Sequence, residues 1–471
     1  MTALKFRERF SDWSGGLVYG NDNELLFHPQ RKSMDGFLRQ AVCNTTYGIL
    51  VGGVFLSGYL IYLGMSDKAL SYLASLQMIC GMFMVLFVPW LDKRCRRRRL
   101  MISICLVSRA FQISIIFVPL LLPEQLKQYV VVLCLFLGAL VAAINDIVFN
   151  TWFAAVIPDA VKGRFFSIRQ SIGVVVSLGV SLLASAVMDA FQKAQYTVFA
   201  VVYGVAALVT VFEVLALRQV EDVELKPSAQ RIHLWDVVRV PASNRDFMWY
   251  MLLCCLLYLF WFLSTSFSSA FQLKYLKMSY TYINIVGALR YLLQIFIFYK
   301  VWGLICDKIG SSFALFCSIL FHITDCLLWA CMSSETVQVV YPFMSVLGAV
   351  GQTGFGVALF NRRYELIPEK GKVIYETFFS ATIGATVLIS PFLGGLLRDF
   401  FATTPVAQME FGNIRAVYVV SAVLMVFLQM GYARYLRKRF KEQGVLSRQN
   451  LRRCGVILKN TIFRQDQRPA G

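Results

Sequence analysis

The octapeptide Gly303-Leu-Ile-Cys-Asp-Lys-Ile-Gly310 lies in a short polar gap between two long apolar runs, and part of it occurs twice in the chain. Asp92-Lys93 stands 215 positions before Asp307-Lys308, in a similar gap. Two further pairs repeat at nearly the same offset: Ile157-Pro158-Asp159 with Ile367-Pro368-Glu369 at 210 positions, and Phe165-Phe166-Ser167 with Phe378-Phe379-Ser380 at 213. Such matched offsets indicate that the chain contains one unit twice, and internal repeats of membrane helices are typical of transporters.

The composition predicts a membrane protein, because 58% of the residues are hydrophobic and only 15% are charged. Twelve apolar runs approach the length that crosses a hydrocarbon core of about 30 Å. Their predicted spans are 36–64, 69–90, 100–122, 129–156, 165–190, 196–217, 247–272, 280–302, 311–332, 337–360, 373–397 and 413–435. We therefore predict an all-α membrane protein in which twelve transmembrane helices form two pseudo-symmetric six-helix bundles.

The formal net charge of +19 is distributed unevenly around these spans. With the amino terminus inside, the inner segments carry 35 lysines and arginines and the outer loops carry 6. The positive-inside rule then places both termini in the cytoplasm of a multi-pass protein of the cell membrane. The charge is explained by topology, and we expect no nucleic-acid partner. No cleavable secretory signal is visible, since the first apolar run is full length and follows a polar arm.

The chain divides at two polar segments and a basic tail. We predict a cytoplasmic arm at 1–35, a first bundle at 36–217, a charged linker at 218–246, a second bundle at 247–436 and a basic tail at 437–471. The linker stretch from Trp235 to Arg239 is compatible with a short amphipathic helix or with a solvated connector. The tail either binds anionic lipid headgroups or serves only to retain the topology. We expect membrane lipids as partners and a monomeric protein.

Sequence motifs for enzymatic chemistry are not found. The twelve cysteines are scattered without metal-ligand or redox spacing, which favours small, reduced packing residues. No phosphate-binding Gly-x-x-x-x-Gly-Lys-Ser/Thr loop, His-Glu-x-x-His zinc motif or Gly-x-Ser-x-Gly nucleophile turn is present. We expect neither a cofactor nor a bound metal, and we predict that the protein is not an enzyme.

The paired loops resemble a signature of the major facilitator superfamily, Gly-x-x-x-Asp-Arg/Lys-x-Gly. Gly303, Asp307, Lys308 and Gly310 match it, whereas in the first copy Val88 and Cys95 replace the glycines beside Asp92 and Lys93. The Arg39 entry to span one and the Gly163–Arg169 entry to span five are similar to a bacterial branch whose members mostly lack assigned substrates.

That resemblance implies the twelve-helix fold and a conformational latch made of Asp92, Lys93, Gly303, Asp307, Lys308 and Gly310. A carboxylate at a helix end can accept hydrogen bonds from the positive end of a neighbouring helix, while the basic residues face lipid headgroups. In the family, the latch holds the state that is open to the outside. The resemblance also implies that spans one, four, seven and ten line a central cavity.

Ionisable residues within the spans are candidates for function, because each costs about 2.5–3.5 kcal/mol on insertion scales. We noted Arg109, Asp146, Arg290, His322 and Asp325. Asp146 is a candidate for substrate binding or proton coupling, or else forms a fixed ion pair with Arg109 or Arg169. His322 and Asp325, three residues apart, either relay protons or form a buried structural pair.

Polar and aromatic residues on the cavity-lining spans complete the candidate substrate site. They are Asn44, Asn150, Tyr258, Trp261 and Gln352, together with Asp146 and Arg290. The aromatic stripe of span seven serves either cavity lining or packing. The small residues around Asn44 and Gln352 allow either close helix packing or a flexible gate.

These observations predict a secondary active transporter that moves a small solute of unknown class by alternating access to the two membrane faces. Proton coupling is implied by the resemblance. The alternative is a non-transporting membrane scaffold or receptor that has the same fold.

Overall fold

The computed structural model describes residues 30–83, 86–87, 97–157, 159–191, 195–222, 234–368, 372–439, 450 and 453–454. Within these residues all regular structure is helical. In this described part of the chain eleven helices are long and apolar enough to cross a membrane. This architecture confirms the predicted all-α membrane fold.

Unit one comprises residues Met1–Gly64 and Leu86–Arg231. Its described helices are α1 (Arg31–Leu50), α2 (Gly53–Tyr62), α5 (Arg97–Ser114), α6 (Val118–Leu121), α7 (Glu124–Val156), α8 (Asp159–Ala190) and α9 (Gln195–Gln219). The first span is interrupted between α1 and α2, where Gly53 has a positive φ of 52°. Helix α1 packs against both α8 and α9, and α5 packs against α7; Ser33 and Gln40 of α1 are buried inside the unit.

Unit two comprises Met65–Val85 and Ile232–Gly471. Its helices are α3 (Asp67–Ala74), α4 (Leu76–Met82), α10 (Leu234–Ser243), α11 (Arg245–Thr265), α12 (Ser268–Ala270), α13 (Tyr280–Leu293), α14 (Tyr299–Lys308), α15 (Ser311–Cys331), α16 (Val337–Leu366), α17 (Lys372–Ala402) and α18 (Gly412–Arg439). Five-residue π-helical segments follow α12 at Phe271–Tyr275 and α13 at Gln294–Phe298. Helix α10 begins at the linker stretch for which an amphipathic helix was one alternative; Val237 is buried there and Trp235 is exposed.

The second predicted span, 69–90, differs from the prediction in both continuity and packing. Its described part consists of the short helices α3 and α4, with a break at Ser75, and residues 88–90 lie outside the described part. Residues 65–85 group with unit two, although they precede most of unit one in the chain. The boundary after Arg231 falls inside the predicted linker. The division into two six-helix bundles stays a prediction.

The repeated Ile-Pro dipeptides end corresponding helices in the same way. Ile157 follows the last residue of α7 with φ −88° and ψ 124°, and Ile367 follows the last residue of α16 with φ −85° and ψ 124°. A residue before proline is biased towards the extended region, so the dipeptide itself stops each helix. The amide of Ile157 donates to the Phe153 carbonyl, and that of Ile367 donates to the Arg363 carbonyl. The internal repeat of the sequence is therefore also a repeat of local structure.

The repeated Phe-Phe-Ser segments each contribute to an aromatic cluster. In unit one Phe165 stacks on Phe153 at a centroid distance of 5.9 Å, and the Arg169 guanidinium carbon lies 5.9 Å from the Phe153 centroid.

In unit two Phe378 contacts Phe247 at 6.4 Å, and the Arg363 guanidinium carbon lies 4.1 Å from the Phe379 centroid. Each such ring pair contributes about 0.5–1.5 kcal/mol beyond its buried area. In both units an arginine packs against a ring of the aromatic cluster on a neighbouring helix: Arg169 of α8 on Phe153 of α7, and Arg363 of α16 on Phe379 of α17.

Candidate functional site

A polar cluster lies inside unit two where α13, α15 and α16 meet. We call Arg290, Gln294, Asp325, Gln352 and His322 the Arg290 cluster. The Arg290 guanidinium Nη2 donates to Gln352 Oε1, which also accepts from Gln294 Nε2 at 3.2 Å. The Gln352 amide oxygen on α16 therefore bonds to Arg290 of α13 and to Gln294 of the π-helical segment that follows α13.

Asp325 of α15 contacts α16 at Gly348, one helical turn before Gln352. A Cβ atom at Gly348 would lie 2.9 Å from Asp325 Oδ1, so glycine at this position lets the carboxylate lie close against α16. The charge of Arg290 acts on both Asp325 and His322. No Arg290–Asp325 ion pair is formed among the described residues; the guanidinium binds an amide oxygen instead.

His322 connects the Arg290 cluster to an aromatic wall. Its ring lies 4.7 Å from Trp261 and 5.1 Å from Phe355, and the residue is 5% exposed. Tyr258 contacts both Trp261 and Phe355, at 6.1 and 5.7 Å. His322 Nε2 and Arg290 Nε are buried without a hydrogen-bond partner in the described part of the chain. Polar groups in this state can bind a ligand or water.

The structure therefore brings together six of the predicted site residues in unit two: Tyr258, Trp261, Arg290, His322, Asp325 and Gln352, whose side chain is the bridging amide. Gly351 and Gly354 of span ten are closely packed, as one of the two alternatives requires, whereas a Cβ at Gly356 would meet no atom within 4 Å. At Gly351 a Cβ would lie 2.6 Å from Phe321 Cβ, and at Gly354 it would overlap the Trp302 ring.

A second polar network lies inside unit one and includes Asn44. Arg109 Nη2 donates to Asn44 Oδ1 at 2.5 Å and lies 3.4 Å from Glu213 Oε2. Glu213 is fully buried and accepts from Gln40 Nε2 at 3.0 Å. The Arg109 guanidinium carbon lies 3.7 Å from the centroid of the Tyr47 ring. Asn44 is thus bound within a helix-joining network.

The sequence analysis missed Glu213, although it stands inside the apolar run 196–217 and the carboxylate itself was the signal. Arg109, one of the two proposed partners of Asp146, is paired with Glu213. Arg169, the other, donates to Gln40 Oε1 at 3.3 Å. The side chains of Asp146 and Asn150 lie outside the described residues.

A third cluster, also missed, joins three helices of unit two at one end. We call Asp67, Lys274, Tyr275 and Arg398 the Asp67 cluster. Asp67 is 6% exposed and accepts from Lys274 Nζ at 2.9 Å, Tyr275 Oη at 2.5 Å and Arg398 Nη1 at 2.9 Å. Its members lie in predicted outer loops or at the ends of spans. Charged residues are common at such positions, so no sequence pattern predicted this cluster.

The predicted latch is described only in its second copy, because Asp92 and Lys93 lie outside the described residues. Gly310 has φ 119° and ψ 150°, a conformation that is essentially confined to glycine. A Cβ at Gly303 would meet no atom within 4 Å, so close packing does not require this glycine here. Asp307 and Lys308 are exposed.

The described candidate residues form a charged and aromatic cluster among membrane helices, and the described part of the chain contains no group of three or more metal-ligating side chains. Residues 41–374 match the model of the Major Facilitator Superfamily. The chain belongs to the major facilitator superfamily. This membership confirms the resemblance found in the sequence and makes the protein a membrane transporter, as predicted, and not an enzyme.

Solved superfamily structures agree on the fold. An auto-inhibited POT family peptide transporter aligns with a TM-score of 0.67 at 14% identity, covering 87% of this chain and 97% of that one. The nucleoside transporter NupG aligns at 0.61 and 13%, covering 86% and 98%. A bacterial homologue of the iron transporter ferroportin, in an inward-facing state, aligns at 0.61 and 15%, covering 86% and 98%. At these identities the likeness shows the superfamily fold alone.

One superfamily relative is similar in sequence. The chain is 32% identical over 125 residues to the class H tetracycline resistance protein of Pasteurella multocida. The match covers 26% of this chain and 30% of that relative. The chain thus matches less than a third of the length of this curated relative.

Proposed function

We propose that the protein is a secondary active transporter that binds a small solute at the Arg290 cluster and moves it by alternating access, coupled to protons. The observation that carries the proposal is the Arg290 guanidinium, whose Nε is buried and which has no carboxylate in contact among the described residues, beside an unsatisfied imidazole and an aromatic wall. Ionisable groups at membrane depth are rare, and they mark solute or proton pathways when they are not tied in ion pairs.

The aromatic wall and the guanidinium offer complementary contacts to a solute. Trp261 and Phe355 present apolar faces that stack on planar groups, whereas Arg290 presents up to five N–H donors. Gln294 and Gln352 add amide groups that both donate and accept. The cluster therefore suits a small amphiphilic molecule with at least one hydrogen-bond acceptor.

Asp325 is our first candidate for the coupling proton. A carboxylate in the field of Arg290, but not bonded to it, gains an ion pair when deprotonated and releases the arginine when protonated. Gly348 provides the space for this carboxylate, and His322 lies one turn away on the same helix. Asp146 stays a second candidate, from its position in span four.

The packing of α3 and α4 supports alternating access. By chain order these helices belong to the first half, yet they pack on α17 of unit two. A Cβ at Gly384 would lie 2.9 Å from the Met78 carbonyl oxygen, so the backbones are in close contact there. The Asp67 cluster bonds the first residue of α3 to Lys274 and to Arg398 of α17. Polar contacts of this kind can be broken and reformed, as a helix that changes partner between two states requires.

Reconstitution into proteoliposomes tests the solute site. We expect purified protein to take up at least one solute of a broad library under a proton gradient, and Arg290→Lys to reduce that uptake at least tenfold. Lysine keeps the charge but loses the planar fork that binds Gln352. Arg239→Lys, on an exposed position of α10, is the matched control. Uptake unchanged in Arg290→Lys contradicts the assignment of the site. No flux for any solute favours the alternative, a non-transporting scaffold.

Counterflow tests the proton step separately from transport. Asp325→Asn should abolish accumulation driven by a proton gradient while retaining exchange of labelled for unlabelled solute. If Asp146→Asn alone gives this result, Asp146 is the coupling residue. Accumulation at the wild-type level in both variants argues against proton coupling at either position.

A further inference from the structure

A cavity of about 270 Å³ lies in unit two, away from the Arg290 cluster. It is bounded by helices α11, α15, α16 and α18. The lining residues are Asp246, Trp249, Tyr250, Leu252, Leu253, Leu256, Ser312, Arg362, Leu366, Leu428, Gly431, Tyr432 and Tyr435. The proposed transport mechanism uses none of them.

The polarity of this cavity changes from one end to the other. Asp246 and Ser312 are the second residues of α11 and α15, and Arg362 lies near the end of α16, so the charged and hydroxyl groups gather at helix ends. Leu256 lies ten residues further along α11, about 15 Å deeper at 1.5 Å per residue. The interior is therefore apolar and its mouth is polar, which fits a molecule with one polar end and an extended hydrocarbon tail.

The cavity opens towards lipid. Trp249 and Leu252, on its rim, are each 48% exposed. In a membrane transporter an exposed apolar surface along a spanning helix faces hydrocarbon. The occupant that is always available there is a lipid of the surrounding leaflet.

The charged residues named at the mouth are three arginines, Arg245, Arg362 and Arg434, and two carboxylates, Asp246 and Glu365, so their net charge is positive and favours a phosphate. Arg362 donates through Nη1 to Glu365 at 2.7 Å, and the guanidinium has further N–H donors. The charge of Arg362 also acts on Tyr432 in the cavity wall. Arg245 and Arg434 stand on the same helix ends and add positive charge. Basic residues at a membrane surface attract phospholipid headgroups by about 1 kcal/mol each.

We propose that this cavity is a specific site for one phospholipid, with its phosphate beside Arg362 and an acyl chain along Leu252, Leu256 and Leu428. The tail lies between α11 and α18, and the headgroup occupies the level of the helix ends. The bound lipid adds apolar contact between two helices that otherwise leave a gap.

Gly431 allows a direct test of this site. A Cβ at this position would meet no atom within 4 Å, so Gly431→Leu fills the cavity without a clash. The matched control is Gly204→Leu, at an exposed position of α9 in unit one, because a Cβ there also meets no atom within 4 Å. Arg362→Gln removes the charge at the mouth while keeping a polar side chain.

Native mass spectrometry of detergent-purified protein titrated with phosphatidylglycerol and phosphatidylethanolamine gives the readout. We expect one phospholipid to bind wild type and Gly204→Leu, binding at least tenfold weaker in Gly431→Leu, and about threefold weaker in Arg362→Gln. The melting temperature should rise with phospholipid in wild type but not in Gly431→Leu.

Equal binding by Gly431→Leu and Gly204→Leu overturns the proposal. So does equal binding of a maltoside detergent or a fatty alcohol, since these carry a tail without a phosphate. Binding of inorganic phosphate alone at the same affinity would show that Arg362 is an anion site with no role for the cavity.

Discussion

The backbone at Gly310 has φ 119° and ψ 150°, where a side chain is strained by about 1–3 kcal/mol. We predict that Gly310→Ala lowers the free energy of unfolding by this amount, measured by thermal unfolding in detergent. Gly303→Ala is the control, because its Cβ meets no atom within 4 Å. If both alanines behave alike, backbone conformation does not explain the second glycine of the repeated loop.

The pair formed by Arg109 and Glu213 allows a second prediction at the scale of residues. Replacing one partner of a buried ion pair leaves an uncompensated charge and costs about 3–5 kcal/mol. Glu213→Gln should therefore destabilise unit one strongly, and Arg109→Gln combined with it should cost less than the two single changes together. A double-mutant cycle on thermal stability measures this coupling. If Arg109 couples energetically to Asp146 and not to Glu213, the assignment of the Arg109–Glu213 ion pair is wrong.

Sequence reasoning identified four members of the Arg290 cluster but missed Gln294 and did not find which side chains bond to one another. Charges in apolar runs are visible in a sequence, which is why Arg290, His322 and Asp325 were found. The hydrogen bond from Arg290 to Gln352 depends on the rotation of two helices about their axes, and no residue pattern specifies that rotation. Glu213 was visible by the same rule and was overlooked.

At the scale of elements, the prediction concerns the attachment of helix α3 to α17. Asp67→Asn removes the charge that three donors share, so α3 should separate from α17 more often. We expect the amides of 67–74 to exchange with deuterium at least tenfold faster, as measured by mass spectrometry; tenfold corresponds to about 1.4 kcal/mol.

Lys68→Met is the matched control for α3. Lys68 pairs with Asp399, but both side chains are 46% exposed, and exposed pairs contribute little. Exchange that is equally fast in both variants would mean that α3 is held by apolar packing and not by the Asp67 cluster.

The elements of the chain were predicted with unequal success for a physical reason. Long apolar runs give continuous helices, and most spans were found within a few residues. Span two was predicted as one helix, yet Ser75 separates α3 from α4. Serine hydroxyls bond to neighbouring backbone carbonyls and compete with the helix; here Ser75 Oγ donates to the Ser71 carbonyl. Hydropathy averaged over a window does not detect such a local break.

The whole molecule is expected to have both termini on one face of the membrane, from the count of 35 against 6 basic residues. Fluorescent-protein fusions after Arg439 should fluoresce, and alkaline phosphatase inserted after Lys277 should be active, because that loop is predicted to be outside. Phosphatase activity from a fusion after Arg439 would contradict the predicted orientation.

At this scale the sequence was sufficient for the fold and insufficient for the solute. The duplicated landmarks and the twelve runs predicted the superfamily architecture, since both follow from hydrophobic thickness and chain order. At the proposed site the choice of solute would depend on side chains from four helices, among them Trp261, Arg290, Asp325 and Gln352, which lie far apart in the sequence. Their arrangement follows from helix packing, for which a single sequence gives only weak constraints.

The matching helix ends at Ile157 and Ile367 also bear on how the duplicated chain evolved. Their backbone angles agree within 3° in φ, although the sequences around them have diverged. The bundle that was duplicated therefore already had a helix that stopped at an Ile-Pro step, and both descendants kept that stop.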